Sequence, residues 1–461
     1  MRLAIALGVR KPPSLPMAGS CAWRPDQRAR ARPVPMLIAV EGCCHGELDN
    51  IYASIERTAA MHGTKVDLLL ICGDFQAVRN QADLATMACP PKYRAMQTFY
   101  KYYTGEAVAP VLTIFIGGNH EASSHNWELY HGGWVAPNIY FLGYAGVVNV
   151  GGVRIAGLSG IYNSRHYHMG HFERPPYDDD SMRSAYHVRE LEVLRLLQLR
   201  QPIDVFLSHD WPTNVGGHGD VQQLISKKRH LGDELRSGSL GSPPNERLLH
   251  TLRPNYWFAA HLHVKFAAAV RHDAQHATRF LALDKCLPGR DFLQLIQIAG
   301  DGSPVELKYD AEWLAVLRST AALFSTSRAR MQLDPATLAA SLGRSDFAPS
   351  EEELQKVLAC CGGDLTVPRN FCMTAHAYCE GECPPAQEQP TFVEHPQTIQ
   401  LVQTFGLGLD FRTQHGVAVK RPRPPPPPSV HEQHAAALGL LSEAPGASRV
   451  GHDEEIDLGD D

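Results

Sequence analysis

The chain has 461 residues, of which 44% are hydrophobic, and a formal net charge of −6. This length allows two or three domains with a large core, and so small a net charge neither indicates nor excludes a nucleic-acid partner. We find no run near the roughly 18 uninterrupted apolar residues that span a bilayer, and eleven cysteines in a long chain without a signal-peptide pattern favour a reducing compartment, so we expect a soluble protein of the cytosol or nucleus.

The first segment, residues 1–35, is rich in arginine, contains a single acidic residue and shows no sustained hydrophobic period. This pattern predicts a disordered extension. The alternative is an organelle transit peptide, but such peptides are rich in serine and this segment is not. Because a predicted strand begins at Met36 and candidate ligands follow it directly, we expect Met36 to be the functional start.

Five apolar runs along the chain each end in polar residues of metal-binding type. Continuous apolar runs of this length are typical of strands that are buried on both faces, and the carboxyl ends of parallel strands meet at one edge of a sheet. One such histidine would more often be a core or turn residue, but five coincident endings favour a shared site. The runs cover residues 36–40, 67–72, 110–116, 203–208 and 256–260, and they are followed by Cys43 and His45, by Asp74, by Asn119 and His120, by His209, and by His261 and His263.

Between these runs the sequence alternates helical and extended patterns. Apolar residues at helical spacing predict helices over 47–62, which Gly63 ends, over 80–103, over 188–199 and over 245–252. Short alternating runs around Gly151-Gly152 predict a hairpin, and residues 280–283 and 292–298 complete the strands. The pattern is that of an α/β protein.

Residues 159–186 form a long stretch without a period, rich in His, Arg and Tyr. Long loops without secondary structure are usually functional, and aromatic and arginine side chains stack on unpaired bases and bind phosphates. A solvated loop with incidental aromatic residues is the alternative. The candidate substrate-binding residues are Tyr162, Arg165, His166, Tyr167, Arg174 and Tyr177.

The pattern changes again in the last third of the chain. Amphipathic helices predict a second, smaller domain over 311–411, and residues 412–461 form a proline-rich and acidic tail that we expect to be disordered. The basic cluster at 420–423 is either a nuclear import signal or a solvated charge.

The candidate ligands suit a pair of divalent metal ions. Two ions about 3.5–4 Å apart can hold a hydroxide between them and polarise a phosphate. Asp74 is the natural bridging carboxylate. We expect Cys43, His45 and one histidine of the pair His261 and His263 to complete the first ion, and Asn119, His209 and the other histidine to complete the second.

Three neighbouring residues receive more specific predictions. His120 follows a ligand directly and is placed to act as general acid, with Glu121 either orienting it or starting a helix. Asp210 either orients His209 or is likewise a helix-start carboxylate. A thiolate from Cys43 is softer than a carboxylate and favours Fe²⁺ or Zn²⁺ over Mn²⁺, unless Cys43 is only a small buried residue beside an ion that others hold.

In these motifs the chain resembles the calcineurin-like metallophosphoesterases, with Cys43 and Ala260 at positions where that superfamily has Asp and Gly. With Cys43 and Ala260 at these two positions, the chain resembles the RNA lariat debranching enzyme family. The resemblance extends over wider motifs, from Met36 to beyond Phe292 and again from Pro368. The motifs are Cys43-Cys-His-Gly-Glu-Leu-Asp49, Gly73-Asp-Phe-Gln-Ala-Val-Arg-Asn80, Gly132-Gly-Trp-Val-Ala-Pro-Asn-Ile-Tyr140, Ser208-His-Asp-Trp-Pro212, Ala260-His-Leu-His-Val-Lys-Phe266, Pro368-Arg-Asn-Phe-Cys372 and His395-Pro-Gln-Thr398.

This resemblance implies an α/β metallophosphoesterase fold, an αββα sandwich of two mixed sheets flanked by helices, in a catalytic domain over 36–310 with a recognition loop at 159–189 and a smaller C-terminal domain at 311–411. It implies hydrolysis of the 2′,5′-phosphodiester of branched intron lariat RNA in the nucleus, with metal-bound hydroxide as nucleophile and His120 as general acid. Two divalent ions are implied, Fe²⁺ and/or Zn²⁺, with Mn²⁺ supporting activity, and contacts with splicing-related proteins are left open.

Two other readings of the same motifs differ in function. The first is a general metallophosphatase or a nuclease of the same superfamily. The second is a non-catalytic scaffold with vestigial metal sites, which we expect to lack several ligands or His120. Since every ligand type in this chain remains usable, the sequence favours an enzyme.

Overall fold

A computed structural model describes residues 34–380 and 388–407 of the chain. The predicted disordered tail over 412–461 and nearly all of the predicted N-terminal extension lie outside the described residues. The first strand begins at Val34, two residues before Met36. The strands are β1 (Val34–Glu41), β2 (Leu68–Ile71), β3 (Leu112–Phe115), β4 (Gly133–Ala136), β5 (Ile139–Phe141), β6 (Ala145–Val150), β7 (Val153–Leu158), β8 (Val205–Ser208), β9 (Tyr256–Ala259), β10 (Phe266–Arg271), β11 (Ala277–Ala282), β12 (Leu293–Gly300) and β13 (Leu307–Tyr309).

The helices lie between and after these strands. They are α1 (Leu48–His62), α2 (Gln81–Leu84), α3 (Phe99–Thr104), α4 (Ser123–Glu128), α5 (Asp179–Ser184), α6 (Glu190–Leu196), α7 (Val221–Lys227), α8 (Gly232–Ser237), α9 (Pro243–Leu252), α10 (Ala311–Ser319), α11 (Pro335–Leu342), α12 (Glu351–Cys360) and α13 (Pro396–Phe405), with short 3₁₀ turns at Pro91–Tyr93, Val215–His218, Arg229–Leu231 and Ala321–Leu323. Among the residues that the structure describes, no helix is long and apolar enough to cross a bilayer.

The strands form two mixed sheets. The six-stranded sheet has the order β12-β1-β2-β3-β5-β4, in which β1, β2, β3 and β5 run parallel and the two outer strands antiparallel. The seven-stranded sheet has the order β10-β11-β9-β8-β7-β6-β13, with β11, β9, β8 and β7 parallel. The five predicted strands of the site are β1, β2 and β3 in one sheet and β8 and β9 in the other.

Alternating side chains of each central strand enter different hydrophobic clusters. Ile38 and Leu70 pack between the sheets with Val205 and Phe258, whereas Leu69 faces α1 and α3 on the outer side. The outer face of the seven-stranded sheet packs on α6, α9 and α10. The strands are therefore buried on both faces, as their apolar runs predict, and the layers are those of the expected αββα sandwich.

Most predicted helices are present, but the helix expected over 80–103 is wrong. That region contains only α2, a 3₁₀ turn and α3, because Pro90 and Pro91 lie in its middle. Proline has no backbone N–H and disfavours helical geometry in the residue before it. The helix α1 does end at Gly63, whose φ of 59° is left-handed, and Gly151-Gly152 does connect the β6–β7 hairpin.

The segment after residue 310 shares its cores with the strands. Trp313 and Leu401 belong to the same cluster as the outer face of the seven-stranded sheet. The Gln397 amide accepts a hydrogen bond from the Trp134 N–H and donates one to the Trp134 carbonyl on the edge strand β4, both at 2.8 Å. The domain boundary at 310/311 stays a prediction, and no change of core marks it in the structure.

A buried arginine connects the loop after β2 to this C-terminal segment. The Arg79 guanidinium donates to Asp83 and to Glu128 at 2.8–3.0 Å and to the Thr374 hydroxyl at 2.9 Å. Arg79 is 0% exposed. Each buried carboxylate therefore has a charged partner, and the segment at Thr374 is bound to the loop that follows Asp74.

We expect Arg79→Met to lower the free energy of unfolding by roughly 3–5 kcal/mol, because two buried carboxylates would lose their partner. Urea denaturation followed by circular dichroism measures this change. The control is Lys356→Met, which breaks an exposed i,i+4 pair with Glu352 and should cost no more than about 0.5 kcal/mol. Equal losses in the two variants would contradict the stabilising role of Arg79.

Candidate metal centre

The predicted ligands follow strands of both sheets and converge between them. The donor atoms of one group all lie within 4.8 Å of one another. Within this group His45 Nε2 is 3.3 Å from His263 Nε2 and 3.6 Å from Asp74 Oδ2. One thiol, two imidazoles and a carboxylate at these separations form a donor set that fits a divalent ion. The four residues are Cys43, His45, Asp74 and His263.

A second group surrounds the other carboxylate oxygen of Asp74. His209 Nε2 lies 3.3 Å from Asp74 Oδ1 and 3.1 Å from Asn119 Oδ1. The His261 ring is 5.0 Å from the His209 ring, centroid to centroid. His209 Nδ1 lies 2.8 Å from the Cys72 carbonyl, which fixes the ring and directs Nε2 into the site. Asp74 thus has one oxygen in each group, as a bridging ligand requires.

The structure places His263 in the first group and the His261 ring beside His209 of the second group. Both have left-handed backbone, with φ of 47° and 63°, and so do His45 and Asp74, with φ of 46° and 49°. Non-glycine residues in this region cost of order 1–3 kcal/mol each and cluster at functional sites. The tight turns are what direct these side chains toward one point.

Two glycines allow the close approach of the loops. A Cβ on Gly118 would lie 2.2 Å from Asp74 Oδ1, and a Cβ on Gly73 would lie 2.3 Å from His209 Nδ1. Neither contact is possible for a larger residue without moving a ligand. The glycines before Asp74 and Asn119 are therefore part of the geometry of the site.

Burial keeps the imidazoles neutral. It lowers the pKa of His45 to about 4, of His261 to about 3 and of His263 to about 2, with smaller contributions from neighbouring positive charges. The same burial would raise the pKa of Asp74, but the imidazoles of His209, His120 and His45 and a backbone N–H hold it well below its usual range. Neutral imidazoles around an ionised carboxylate are the protonation states that metal binding needs.

The Cys43 thiol, unlike the imidazoles, is not in the protonation state that metal binding needs. Burial, and then the charge of Asp74, raise the pKa of this thiol well above the usual value. Its Sγ accepts a hydrogen bond from the His261 N–H at 3.2 Å. The thiol therefore holds its proton at neutral pH until a cation displaces it.

His120 lies beside both groups without belonging to either. Its backbone N–H donates to Asp74 Oδ1 at 2.9 Å, and its ring is 5.5 Å from the His45 ring. The side chain is partly exposed, whereas most of the ligands are buried. This placement leaves the imidazole accessible to a substrate at the centre.

Glu121 does not orient His120, contrary to one of the two predictions for it. Its carboxylate accepts the backbone N–H groups of Phe75, Gln76 and Gly118 at 2.8–2.9 Å. Burial, together with the charge of Asp74, raises its pKa to about 8 despite these bonds. Glu121 thus holds the loop of the bridging carboxylate against the loop that follows β3.

Asp210 also has a different function from orienting His209, because His209 Nδ1 is already occupied by Cys72. The Asp210 carboxylate accepts the backbone N–H of Tyr162 at 3.2 Å. Ser159 Oγ likewise accepts the Gly117 N–H at 2.9 Å. These bonds fix the start of the predicted recognition loop next to the metal-type ligands.

The six predicted substrate-binding residues separate into two sets. Arg165 and Arg174 are exposed, and Tyr162 and His166 are partly exposed. Tyr167 and Tyr177 are 9% and 5% exposed. The burial of these two rings leaves little of either face free to stack on a base. Tyr167 packs in the cluster on the outer face of the seven-stranded sheet.

Some residues of the site escaped sequence reasoning. The Gln76 amide lies 3.3 Å from His45 Nδ1 on the face opposite the ligand atom, and Tyr186 lies near Gly118 in a small cavity beside the site. Gln76 stands two residues after Asp74, and that proximity was the available signal. No local pattern distinguishes Tyr186 from the other aromatic residues of its loop.

Two family models match the sequence that forms this site. Residues 36–265 match the model of the calcineurin-like phosphoesterases, and residues 275–409 match that of the lariat debranching enzyme, C-terminal domain. The chain belongs to the lariat debranching enzyme family. The second match begins before residue 311, so the family's C-terminal region includes β11, β12 and β13.

Individual relatives agree with this membership. The chain is 53% identical to lariat debranching enzyme A of Xenopus laevis over 379 residues, covering 81% of this chain and 70% of the relative. It is 53% identical to the lariat debranching enzyme of Homo sapiens over 380 residues, with 81% and 69% covered. The enzyme of Arabidopsis thaliana is 50% identical over 377 residues, with 81% and 86% covered.

We expect Glu121→Ala to lose bound metal, because three buried N–H groups would lack an acceptor and the Asp74 loop would shift. Glu121→Gln, which keeps one carbonyl oxygen, should lose less. Elemental analysis after loading and desalting measures both. If both variants retain the metal content of the wild type, Glu121 does not hold the ligand loop.

A second prediction concerns proton release at Cys43. Metal binding must displace the thiol proton, so affinity should rise with pH between 6 and 8, where the buried imidazoles are already neutral. The carboxylate of Cys43→Asp, with an ordinary pKa near 4, has no proton to lose. Titration calorimetry in buffers of different ionisation enthalpy should show about one proton fewer released by this variant. Equal release would remove the Cys43 thiolate from the coordination sphere.

Proposed function

We propose that this chain hydrolyses the 2′,5′-phosphodiester at the branch point of excised intron lariats. The observation that carries the proposal is the pair of ligand groups sharing Asp74, with His120 beside them, in a chain of the lariat debranching enzyme family. In the reaction a water oxygen bonds to phosphorus and the bond from phosphorus to the 2′ oxygen breaks. The products are a linear RNA with a 5′-phosphate and a free 2′-hydroxyl.

Two divalent ions would be held at the centre. Cys43, His45, Asp74 and His263 would bind one, and Asp74, Asn119, His209 and His261 the other. When bound, such ions polarise the phosphate and acidify water. The thiolate of Cys43 would favour Fe²⁺ or Zn²⁺ in its site, and we expect Mn²⁺, bound by the harder nitrogen and oxygen ligands, to support activity as well.

His120 would give the proton that the leaving 2′ oxygen takes. Its ring lies beside the ligands, and its backbone N–H is fixed to Asp74, so the imidazole keeps its position relative to the bridging carboxylate. General acids of this kind act within hydrogen-bond reach of the leaving oxygen. Glu121 assists indirectly by holding both loops together.

The loop over 159–189 would select branched RNA. Its start is bound to Gly117 and Asp210 next to the ligands, and it exposes Arg165 and Arg174 with Tyr162 partly exposed. Cationic and aromatic side chains recognise splayed nucleotides, which a branch point provides. A general phosphatase or nuclease would not need such a loop at its metal centre, and a vestigial scaffold would not need a convergent donor set.

A nuclear location follows from this substrate, since introns are excised in the nucleus. The basic cluster at 420–423 lies outside the described residues. An association with splicing-related proteins and the oligomeric state stay open.

Wild-type protein should linearise a synthetic 2′,5′-branched RNA, resolved on a denaturing gel, and leave a linear 3′,5′ RNA intact. His120→Ala should lower turnover by about 10²–10⁴-fold, the range for loss of a general acid, with its metal content unchanged. His62→Ala, which removes an exposed histidine at the end of α1, is the control. Equal cleavage of both RNAs by the wild type would refute the proposed specificity, and loss of metal from His120→Ala would refute the role of His120.

A further inference from the structure

Lys285 lies on the loop after β11, directly beside the ligand Cys43. The Cys43 N–H donates to the Asp284 carbonyl at 3.3 Å, and the Cys286 N–H donates to the Cys43 carbonyl at 3.2 Å. These two bonds form a parallel bridge between Cys43 and Lys285. The backbone of Lys285 is thus fixed at the first ligand group.

Lys285 is only 9% exposed. In the part of the chain that the structure describes, no residue forms an ion pair with it or accepts a hydrogen bond from it. The neighbouring cations differ: Arg290 pairs with Asp284 at 3.5 Å, and Lys265 lies 3.2 Å from Gln294 and 3.5 Å from Asp291. The ammonium nitrogen is not one of the fully buried polar atoms that lack a hydrogen-bond partner, so solvent reaches it.

The charge of Lys285 acts on the metal centre. After burial and the nearby charges, it is one of the groups that lower the pKa of His45 and of His263. Both imidazoles belong to the first ligand group. The backbone bridge to Cys43 independently places Lys285 beside the first ligand group.

A largely buried cation without a counter-ion is costly and is normally compensated by an anion. Asp284, the nearest acidic residue in sequence, is already engaged by Arg290. The solvent-accessible ammonium is therefore available to an anion, and its position beside the ligand Cys43 of a centre proposed to cleave RNA points to a phosphate. Lysine is a point charge that binds phosphate oxygens without a fixed geometry.

We propose that the Lys285 ammonium binds a phosphate of the RNA backbone adjacent to the scissile phosphodiester, on the Cys43–His45–His263 side of the centre. This inference rests on the proposed function and extends it to the path of one RNA strand. Lys285 is a substrate-binding residue that positions the branch point. The competing explanation is that its charge only stabilises the Cys43 thiolate.

The salt dependence of RNA binding separates the two explanations. Each phosphate contact releases counterions, so the slope of log K against log salt changes by about 0.7 per contact to a single strand. We would measure binding of 2′,5′-branched RNA to metal-loaded His120→Ala protein, with and without Lys285→Gln, over a series of salt concentrations. Lys265→Gln is the matched control, because it removes a lysine close to His263 whose ammonium already has protein partners.

We expect Lys285→Gln to reduce the salt slope by about 0.7 and, in the otherwise wild-type protein, kcat/KM for branched RNA by about 10–100-fold, as for the loss of one charge-assisted hydrogen bond. Lys285→Arg should restore most of this loss, and Lys265→Gln should change little. Hydrolysis of bis(p-nitrophenyl) phosphate, which has no neighbouring phosphate, should be nearly unchanged.

An unchanged salt slope in Lys285→Gln would overturn the proposal, whatever its metal content. Equal losses on branched RNA and on the small diester would also overturn it, because the effect would then lie at the metal ligands. If the wild type fails to cleave branched RNA at all, the proposed function is wrong. If the wild type cleaves and only the Lys285 results differ, this inference alone fails.

Discussion

The division of one carboxylate between two ligand groups is the constraint on which the site depends. Asp74 Oδ2 is directed to His45 and Asp74 Oδ1 to His209, so a shift of the loop in either direction improves one contact and removes the other. The loop has left-handed backbone at Asp74, and Glu121 holds its following N–H groups. The chain thus maintains a strained turn with hydrogen bonds from a neighbouring strand end.

The surrounding interactions fix the position of the two sheets relative to each other at the site. His209 is bound through its second nitrogen to the Cys72 carbonyl, which lies at the end of a strand in the other sheet. The glycines beside Asp74 permit a separation that any side chain would prevent. Precise loops of this kind need rigid support, and the apolar layer between the sheets provides it through close packing.

Sequence reasoning finds the parts of this structure that local patterns determine. Buried strands have continuous apolar sequences, and the residue types that follow them predicted seven candidate ligands and His120, which the structure brings close together between the two sheets. It does not find what depends on contacts between distant segments. The carboxylate of Glu121 binds a loop about 45 positions away, and Asp210 binds Tyr162 in the loop over 159–189, 48 positions away. Tyr167 was a candidate substrate-binding residue because composition cannot show which rings of a loop pack into the interior, as Tyr167 does against the seven-stranded sheet. The helix expected over 80–103 fails for a local reason, since its helical spacing outweighed the break at Pro90 and Pro91.

The wide separation of the ligands along the chain has a thermodynamic consequence. His45 and His263 lie in contact although they are 218 positions apart. An ion held by both would close a very long loop, and the entropy of such a closure in the unfolded chain is what a disulfide of the same span would remove. Unlike a disulfide, this cross-link survives in a reducing compartment and exists only in proportion to the free metal concentration. Metal supply would therefore set the thermal stability of the sandwich as well as the activity of its centre.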